Sequence, residues 1–172
     1  MKIRKGFVSN SSSSSFLVIF PSEPKDKYDV LRMMNGEVKE SYIIKTFESY
    51  SDIEVAETVW KDIKKQGSNN ILKAVAEITD DQYDYYYDDD KNILEYCPTW
   101  KENFEGYKTI EELEQDIILN DNQDYQLSLF KDAIEEVKSF MDSNPGVLYS
   151  FTFEGRCKVI FYKLPNKVYS HP

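Results

Sequence analysis

Five consecutive apolar residues stand between a serine tract and two prolines near the start of the chain. The run FLVIF covers residues 16–20, the serine tract Ser11–Ser15 precedes it, and Pro21 and Pro24 follow it. A short, continuous apolar run bounded by breakers is typical of a buried strand. Because five adjacent apolar side chains are costly to leave in water, we expect this strand to lie in the core.

The rest of the chain supplies enough apolar material for one packed domain. Of the 172 residues, 41% are hydrophobic and 15% aromatic, which argues against global disorder despite 30% charged residues. We therefore expect a single domain over residues 1–172. No apolar run approaches the roughly 20 residues of a membrane span, and serines follow the basic start MKIRKG where a signal peptide would be apolar. These features predict a cytoplasmic protein that does not associate with membranes.

The pattern along the chain predicts strands at both ends and helices between them. Apolar spacing and capping residues predict five helices. The first covers 25–34, the second runs from a capping box at 51–54 to Gly67, and the third runs from 69 or 70 into an acidic stretch. The fourth runs from Thr109 through Ile117, and the fifth covers 124–142. Further strands are predicted over 42–47, 147–153 and 158–164, the last two as a hairpin across 154–156. This order predicts an α+β fold, in which a small antiparallel sheet of the N-terminal strand and the C-terminal hairpin packs against several helices.

The negative charge of the chain is concentrated in one continuous part. Residues 77–124, the acidic segment, contain 16 acidic and 3 basic residues, a net charge of −13. The remaining residues contain 15 acidic and 18 basic residues, a net charge of +3. A block of like charges repels itself, so it stays solvated or meets a cationic partner.

The densest part of the acidic segment is EITDDQYDYYYDDD, residues 77–90, called the Asp-Tyr stretch below. It contains seven carboxylates, four tyrosines and no base. Three functions compete with a solvated loop that only keeps the protein soluble: imitation of nucleic-acid phosphates, Ca²⁺ binding, and docking on a basic protein surface with tyrosines as anchors. Ca²⁺ binding is the weakest of them, because the stretch has no D-x-[DN]-x-[DN]-G loop.

The sequence GFVSNSSSSSF, from Gly6 to Phe16, resembles the opening of a scattered set of small, uncharacterised proteins of bacteriophages and bacterial mobile elements. Some of them end in a strand followed by a Ser-His pair, and Tyr169-Ser170-His171 is similar. The resemblance implies a phage or prophage setting and no known activity.

The serine tract itself has four interpretations. Its hydroxyl groups, with Lys2, Arg4 and Lys5 nearby, form the kind of donor-rich turn beside cations that binds anions, although the chain has no GxxxxGK[ST] loop. Serines also accept phosphate, and the tract could be a processing or packaging tag. In the fourth interpretation, it is a polar lead-in to the strand, whose hydroxyls satisfy backbone groups at the end of the sheet.

Catalysis and metal binding have little support from residue types. The chain has one histidine, His171, and its two cysteines, Cys97 and Cys157, lie far apart. We expect neither a cofactor nor a metal. Direct nucleic-acid binding is disfavoured because phosphate contacts need clustered Lys and Arg.

These observations favour a non-enzymatic acidic binding protein that docks on a basic surface of a host or phage protein, with nucleic-acid mimicry as one version. The residues expected at that interface are Asp80, Asp84, Tyr85, Tyr86, Asp88, Asp89 and Asp90. The alternative is a small phosphate- or nucleotide-binding enzyme, or a modification substrate, that acts through the serine tract. Its candidate residues are Lys2, Arg4, Lys5, Asn10, Ser11, Ser12, Ser13, Ser14, Ser15 and His171.

Overall fold

The computed structural model describes residues 13–36, 43–45, 49–79, 106–120, 125–154 and 161–171. The strands within these ranges are β1 (Ser13–Phe20), β2 (Ile43–Lys45), β3 (Ser49–Ser51), β4 (Val147–Glu154) and β5 (Asn166–His171). The helices are α1 (Lys27–Asn35), α2 (Asp52–Gln66), α3 (Ile71–Thr79), α4 (Ile110–Asn120) and α5 (Tyr125–Ser143). The predicted α+β class is confirmed.

The main sheet has three antiparallel strands in the order β4-β1-β5. The N-terminal strand lies in the middle, with Phe16 opposite Phe151 of β4 and Val168 of β5, so the two C-terminal strands each pair with β1 and not with each other. The five apolar residues of the FLVIF run are each at most 2% exposed, as the prediction of a buried strand requires. Strands β2 and β3 form a separate two-stranded sheet.

The two faces of β1 pack on different sets of helices. Leu17 and Ile19 face a core made with α3, α4 and α5. Phe16, Val18 and Phe20 face a second core made with α1 and α2. Because successive side chains of a strand point to opposite faces, a strand between two helical layers needs apolar residues at every position. This explains why the run is continuous rather than alternating.

The last strand lies further along the chain than predicted. The prediction placed it at 158–164, but residues 161–164 form a turn, and residues 158–160 lie outside the described residues. Phe161 is 1% exposed and its ring stacks on Phe151 with centroids 5.1 Å apart, so its apolar side chain fills the core without belonging to a strand. The Asn166 side-chain amide closes the turn by donating to the carbonyl oxygens of Phe161 and Leu164, each at 2.9 Å.

The predicted helices are present, and their ends follow local signals. Helix α1 begins after Asp26, whose carboxylate accepts from the backbone N–H groups of residues 28 and 29, and ends at Gly36 in the left-handed conformation. Thr109 caps α4 by accepting from the N–H of Glu112. Helix α2 begins at Asp52 and ends before Gly67, whose φ is +73°. None of the helices among the described residues is long and apolar enough to cross a membrane.

Candidate functional site

Most of the residues predicted to be functional lie outside the described parts of the chain. These include every predicted interface residue of the Asp-Tyr stretch, namely Asp80, Asp84, Tyr85, Tyr86, Asp88, Asp89 and Asp90. They also include Lys2, Arg4, Lys5, Asn10, Ser11 and Ser12 of the N-terminal candidates. The structure describes Ser14 and Ser15 in full, and it describes the strand pairing of Ser13 and His171.

Ser14 and Ser15 are core residues of β1. Each is 1% exposed, and the hydroxyl groups of Ser15 and Thr152 are hydrogen bonded at 2.8 Å. A modifying enzyme or a soluble anion has no access to such side chains in the folded sheet. For these two residues, the placement fits the interpretation of the tract as a polar lead-in to the strand.

The two ends of the chain meet in this sheet. In the pairing of β1 with β5, Ser13 lies opposite His171, Ser14 opposite Ser170, and Ser15 opposite Tyr169. The tract and the Tyr-Ser-His ending, which the phage resemblance also contains, are therefore neighbours in space. In the sequence, only that resemblance linked the two segments. They are more than 150 residues apart, and no sequence pattern connects positions at that distance.

A row of three residues with hydroxyl side chains crosses the sheet at this end. It consists of Thr152 on β4, Ser15 on β1 and Tyr169 on β5, and is called the hydroxyl row below. Glu77 of α3 lies at one end of the row and accepts a hydrogen bond from Thr152. Glu136 of α5 lies at the other end and accepts one from Tyr169.

A lysine neutralises each of these two glutamates. Lys73 Nζ lies 3.0 Å from Glu77 Oε1 and also donates to the Ser150 carbonyl oxygen at 2.8 Å. Lys167 Nζ lies 3.0 Å from Glu136 Oε1. Two ion pairs therefore bracket the hydroxyl row. The Lys167–Glu136 pair ties β5 to α5, and hydrogen bonds of Lys73 and Glu77 with β4 tie α3 to the sheet.

The protonation of this region follows from burial and from these bonds. Burial and the hydrogen bond to Glu136 raise the pKa of the Tyr169 phenol far above its ordinary value. Burial raises the pKa of Glu136, but hydrogen bonds from Tyr169 and Lys167 outweigh it and lower that pKa overall. Burial raises the pKa of Asp62, with Lys73 lowering it and Glu77 raising it.

This chemistry supports a structural role for the hydroxyl row. The Tyr169 phenol stays protonated at neutral pH, and both glutamates are held by a lysine and by a hydroxyl of the row. Among the described residues, no group of three or more His, Cys, Asp or Glu side chains could hold a metal ion. What the row does is fix the end of the sheet.

The Asp-Tyr stretch leaves the end of α3 near this same polar end of the sheet. Helix α3 runs beside β4, with Lys73 at Ser150 and Glu77 at Thr152, so its last residue, Thr79, lies beyond Thr152 toward the polar end. Thr79 is 2% exposed, and its hydroxyl donates to the Val75 carbonyl oxygen at 2.8 Å. The first three residues of the Asp-Tyr stretch thus belong to α3, and the rest of the stretch follows directly from the buried Thr79.

A second anchor lies where the described chain resumes. Tyr107 packs against the core and donates its hydroxyl proton to Asp116 of α4. The part of the acidic segment between Thr79 and Tyr107 is thus held at both ends. No sequence signal pointed to these anchors, since the burial of Thr79 and the packing of Tyr107 on the core depend on the tertiary structure.

Comparison of the chain with models of protein families, with curated proteins and with solved structures finds no match.

Proposed function

We propose that this protein is a non-enzymatic, cytoplasmic binding protein whose Asp-Tyr stretch docks on a basic surface of another protein, of phage or host origin. The observation that carries the proposal is the charge distribution: a net charge of −13 over residues 77–124 and +3 over the rest. Imitation of nucleic-acid phosphates is one version of it, in which the basic surface is itself a nucleic-acid-binding site.

The ion pairs of the described residues support the proposal. Four basic side chains there are paired with carboxylates outside the acidic segment: Lys27, Arg32, Lys61 and Lys167. Two more, Lys73 and Lys138, are paired with Glu77 and Glu114, the acids of the segment that lie on α3 and α4. Cations that are already paired within the body contribute little to neutralising the Asp-Tyr stretch. These six cations are therefore engaged elsewhere than at residues 80–90.

The anchoring of the segment supports it as well. Thr79 and Tyr107 hold the two ends of the chain that carries the Asp-Tyr stretch. An anchored binding segment loses less conformational entropy on association than a free tail does.

The test is an affinity capture from phage-infected host cells with two charge-matched variants. The first replaces Asp80, Asp84, Asp88, Asp89 and Asp90 with asparagine. The second is the control and removes five acids elsewhere: Glu37→Gln, Glu40→Gln, Asp132→Asn, Glu135→Gln and Asp142→Asn. Both variants have the same net charge, so they differ only in where the charge was removed.

The proposal expects a partner that wild type and the control capture at about 50 mM salt and that the first variant loses. Capture should fall sharply at about 300 mM salt, where the Debye length is below about 6 Å. A partner that all three forms retain equally would refute the role of the Asp-Tyr stretch. Stronger capture after replacing Lys2, Arg4 and Lys5 with glutamine would show instead that the chain masks its own acids.

A second candidate is a function of the serine tract, and one observation supports it. The register that sets Ser13 opposite His171 gives the tract a neighbouring imidazole-bearing residue at the same end of the sheet. This candidate predicts either an added mass or a trimmed N-terminus on the natively expressed protein, or a thermal shift with a nucleotide. Intact mass spectrometry and a nucleotide panel that both give negative results would exclude it.

A further inference from the structure

Helix α4 exposes two large apolar side chains to solvent. Its inner side is buried in the core through Leu113 and Ile117, which are 0% and 5% exposed. Ile118 and Leu119, at the C-terminal end of the same helix, are 80% and 73% exposed. Removing apolar surface from water is favourable. A partner that covers these two adjacent aliphatic side chains would therefore gain binding free energy.

The same outward side of α4 carries negative charge. Glu111, Glu112 and Gln115 are exposed, and Ile118 and Leu119 follow the two glutamates by seven residues each. Seven residues are two helical turns, so these pairs lie on one side of the helix about 10 Å apart along its axis. The outward face of α4 is therefore acidic at its N-terminal half and apolar at its C-terminal half.

The helix that carries this face is held in place. Glu114 forms an ion pair with Lys138 of α5. Asp116 accepts a hydrogen bond from Tyr107, and Thr109 caps the first turn. A face on a fixed helix keeps its charged and apolar ends at a constant spacing, which allows it to select a partner with a matching spacing.

We propose that this face of α4 binds an amphipathic, cationic helix of the partner protein. Apolar side chains of that helix cover Ile118 and Leu119, and Lys or Arg side chains about 10 Å away, two turns along its axis, face Glu111 and Glu112. This proposal rests on the proposed function, because the net charge of the acidic segment attracts the cationic partner. To that attraction it adds an apolar contact at Ile118 and Leu119.

Charge complementarity favours this occupant over a second copy of the chain. Helix α4 has four acidic residues and no basic one in its sequence IEELEQDIILN. A second copy of this face would bring no cation to Glu111 and Glu112, because the helix itself has none. A cationic helix pairs with both glutamates and covers the apolar pair at once.

The test uses two synthetic 18-residue helical peptides and the ¹⁵N-labelled full-length protein. Both peptides carry the same number of lysines; one has a leucine face, and in the other glutamine replaces each leucine. The proposal expects chemical-shift changes over residues 111–119 and an affinity for the leucine peptide at least about ten times higher than for the glutamine peptide.

Variants identify the apolar contact. The double variant Ile118→Ser with Leu119→Ser should bind both peptides with nearly equal affinity. The matched control, Tyr28→Ser with Tyr162→Ser, removes two exposed aromatic side chains elsewhere and should keep the wild-type preference. Because all four side chains are exposed, these variants should fold like wild type, which circular dichroism checks.

Three results would overturn the proposal. One is equal affinity of the wild-type protein for the two peptides, and another is shift changes confined to residues outside α4. The third is sedimentation velocity showing that the wild-type chain self-associates and that the Ile118→Ser, Leu119→Ser variant does not, which would make a second copy the occupant.

The five-asparagine variant of the Asp-Tyr stretch separates this proposal from the proposed function. If that variant loses both peptides while the α4 variant behaves as wild type, the apolar contact is wrong and the proposed function stands. If the five-asparagine variant binds both peptides as wild type does, while the Ile118→Ser, Leu119→Ser variant loses its preference for the leucine peptide, the Asp-Tyr stretch does not attract the peptide. The proposed α4 contact is then supported and the proposed function is not.

Discussion

Replacing Gly146 with alanine should destabilise the fold strongly, because the backbone there lies against the central strand. Gly146 stands between α5 and β4 with a φ of +148°, a region that side chains with a Cβ rarely adopt. A Cβ at this position would lie 2.2 Å from the Phe20 carbonyl oxygen and 2.7 Å from Ile19 Cγ2. The oxygen belongs to the backbone of β1, so it cannot move away without pulling β1 from β4.

Two costs add at this position. The backbone conformation costs about 1–3 kcal/mol for a residue other than glycine, and overpacking of a close contact costs about 1–3 kcal/mol. We therefore expect Gly146→Ala to lower the free energy of unfolding by about 2–6 kcal/mol, a large part of the stability of a small domain.

Urea denaturation followed by circular dichroism measures this loss, and Gly67→Ala is the matched control. Gly67 also has a positive φ, +73°, but a Cβ there would meet nothing within 4 Å. That variant should lose only the left-handed backbone cost of about 1 kcal/mol. If Gly146→Ala loses no more stability than Gly67→Ala, then the close approach of Gly146 to β1 is wrong.

Three further predictions concern the charged side chains around the hydroxyl row. Lys73→Met should lower the free energy of unfolding by about 2 kcal/mol, since the half-buried Glu77 carboxylate loses its charged partner and keeps only the hydrogen bond from Thr152 among the described residues, while the exposed Lys65→Met should change it little in the same urea titration. Glu136→Gln should be less stable than wild type at pH 7. Because the pKa of Glu136 is lowered in the folded state, that deficit should shrink as the pH falls below its ordinary value of 4.5. Asp62→Asn should be more stable than wild type at pH 7, because burial raises the pKa of this carboxyl, and the gain should vanish as the pH falls below 3.8, which thermal melts between pH 3 and pH 7 would show.

Features of this fold that depend on neighbours in sequence were predictable from the chain. The FLVIF run predicted a buried strand because five apolar residues in succession suit only a strand that is covered on both sides. Thr109 and Gly67 marked the ends of helices because a capping hydroxyl and a residue with positive φ act on the turn next to them.

Features that depend on distant partners were not predictable. Phe161 looked like part of a strand, whereas its ring stacks on Phe151 and it belongs to a turn. The hydroxyl row joins Ser15 to Thr152, which is 137 residues away, and no periodicity connects two such positions. For the candidate site, the charge count located the acidic segment, but the burial of Thr79 and Tyr107 at its two anchors depends on tertiary packing.

The most direct test of the proposed function is the salt dependence of the dissociation constant for the captured partner. It should be measured by titration calorimetry at several salt concentrations, for wild type, the five-asparagine variant and its charge-matched control. Docking through the Asp-Tyr stretch predicts that the wild type and the control weaken steeply and in parallel as salt rises, while the five-asparagine variant is weaker at low salt and changes little. Identical salt dependence in all three proteins would contradict the account, because the negative charge at residues 80–90 would then make no contact with the partner.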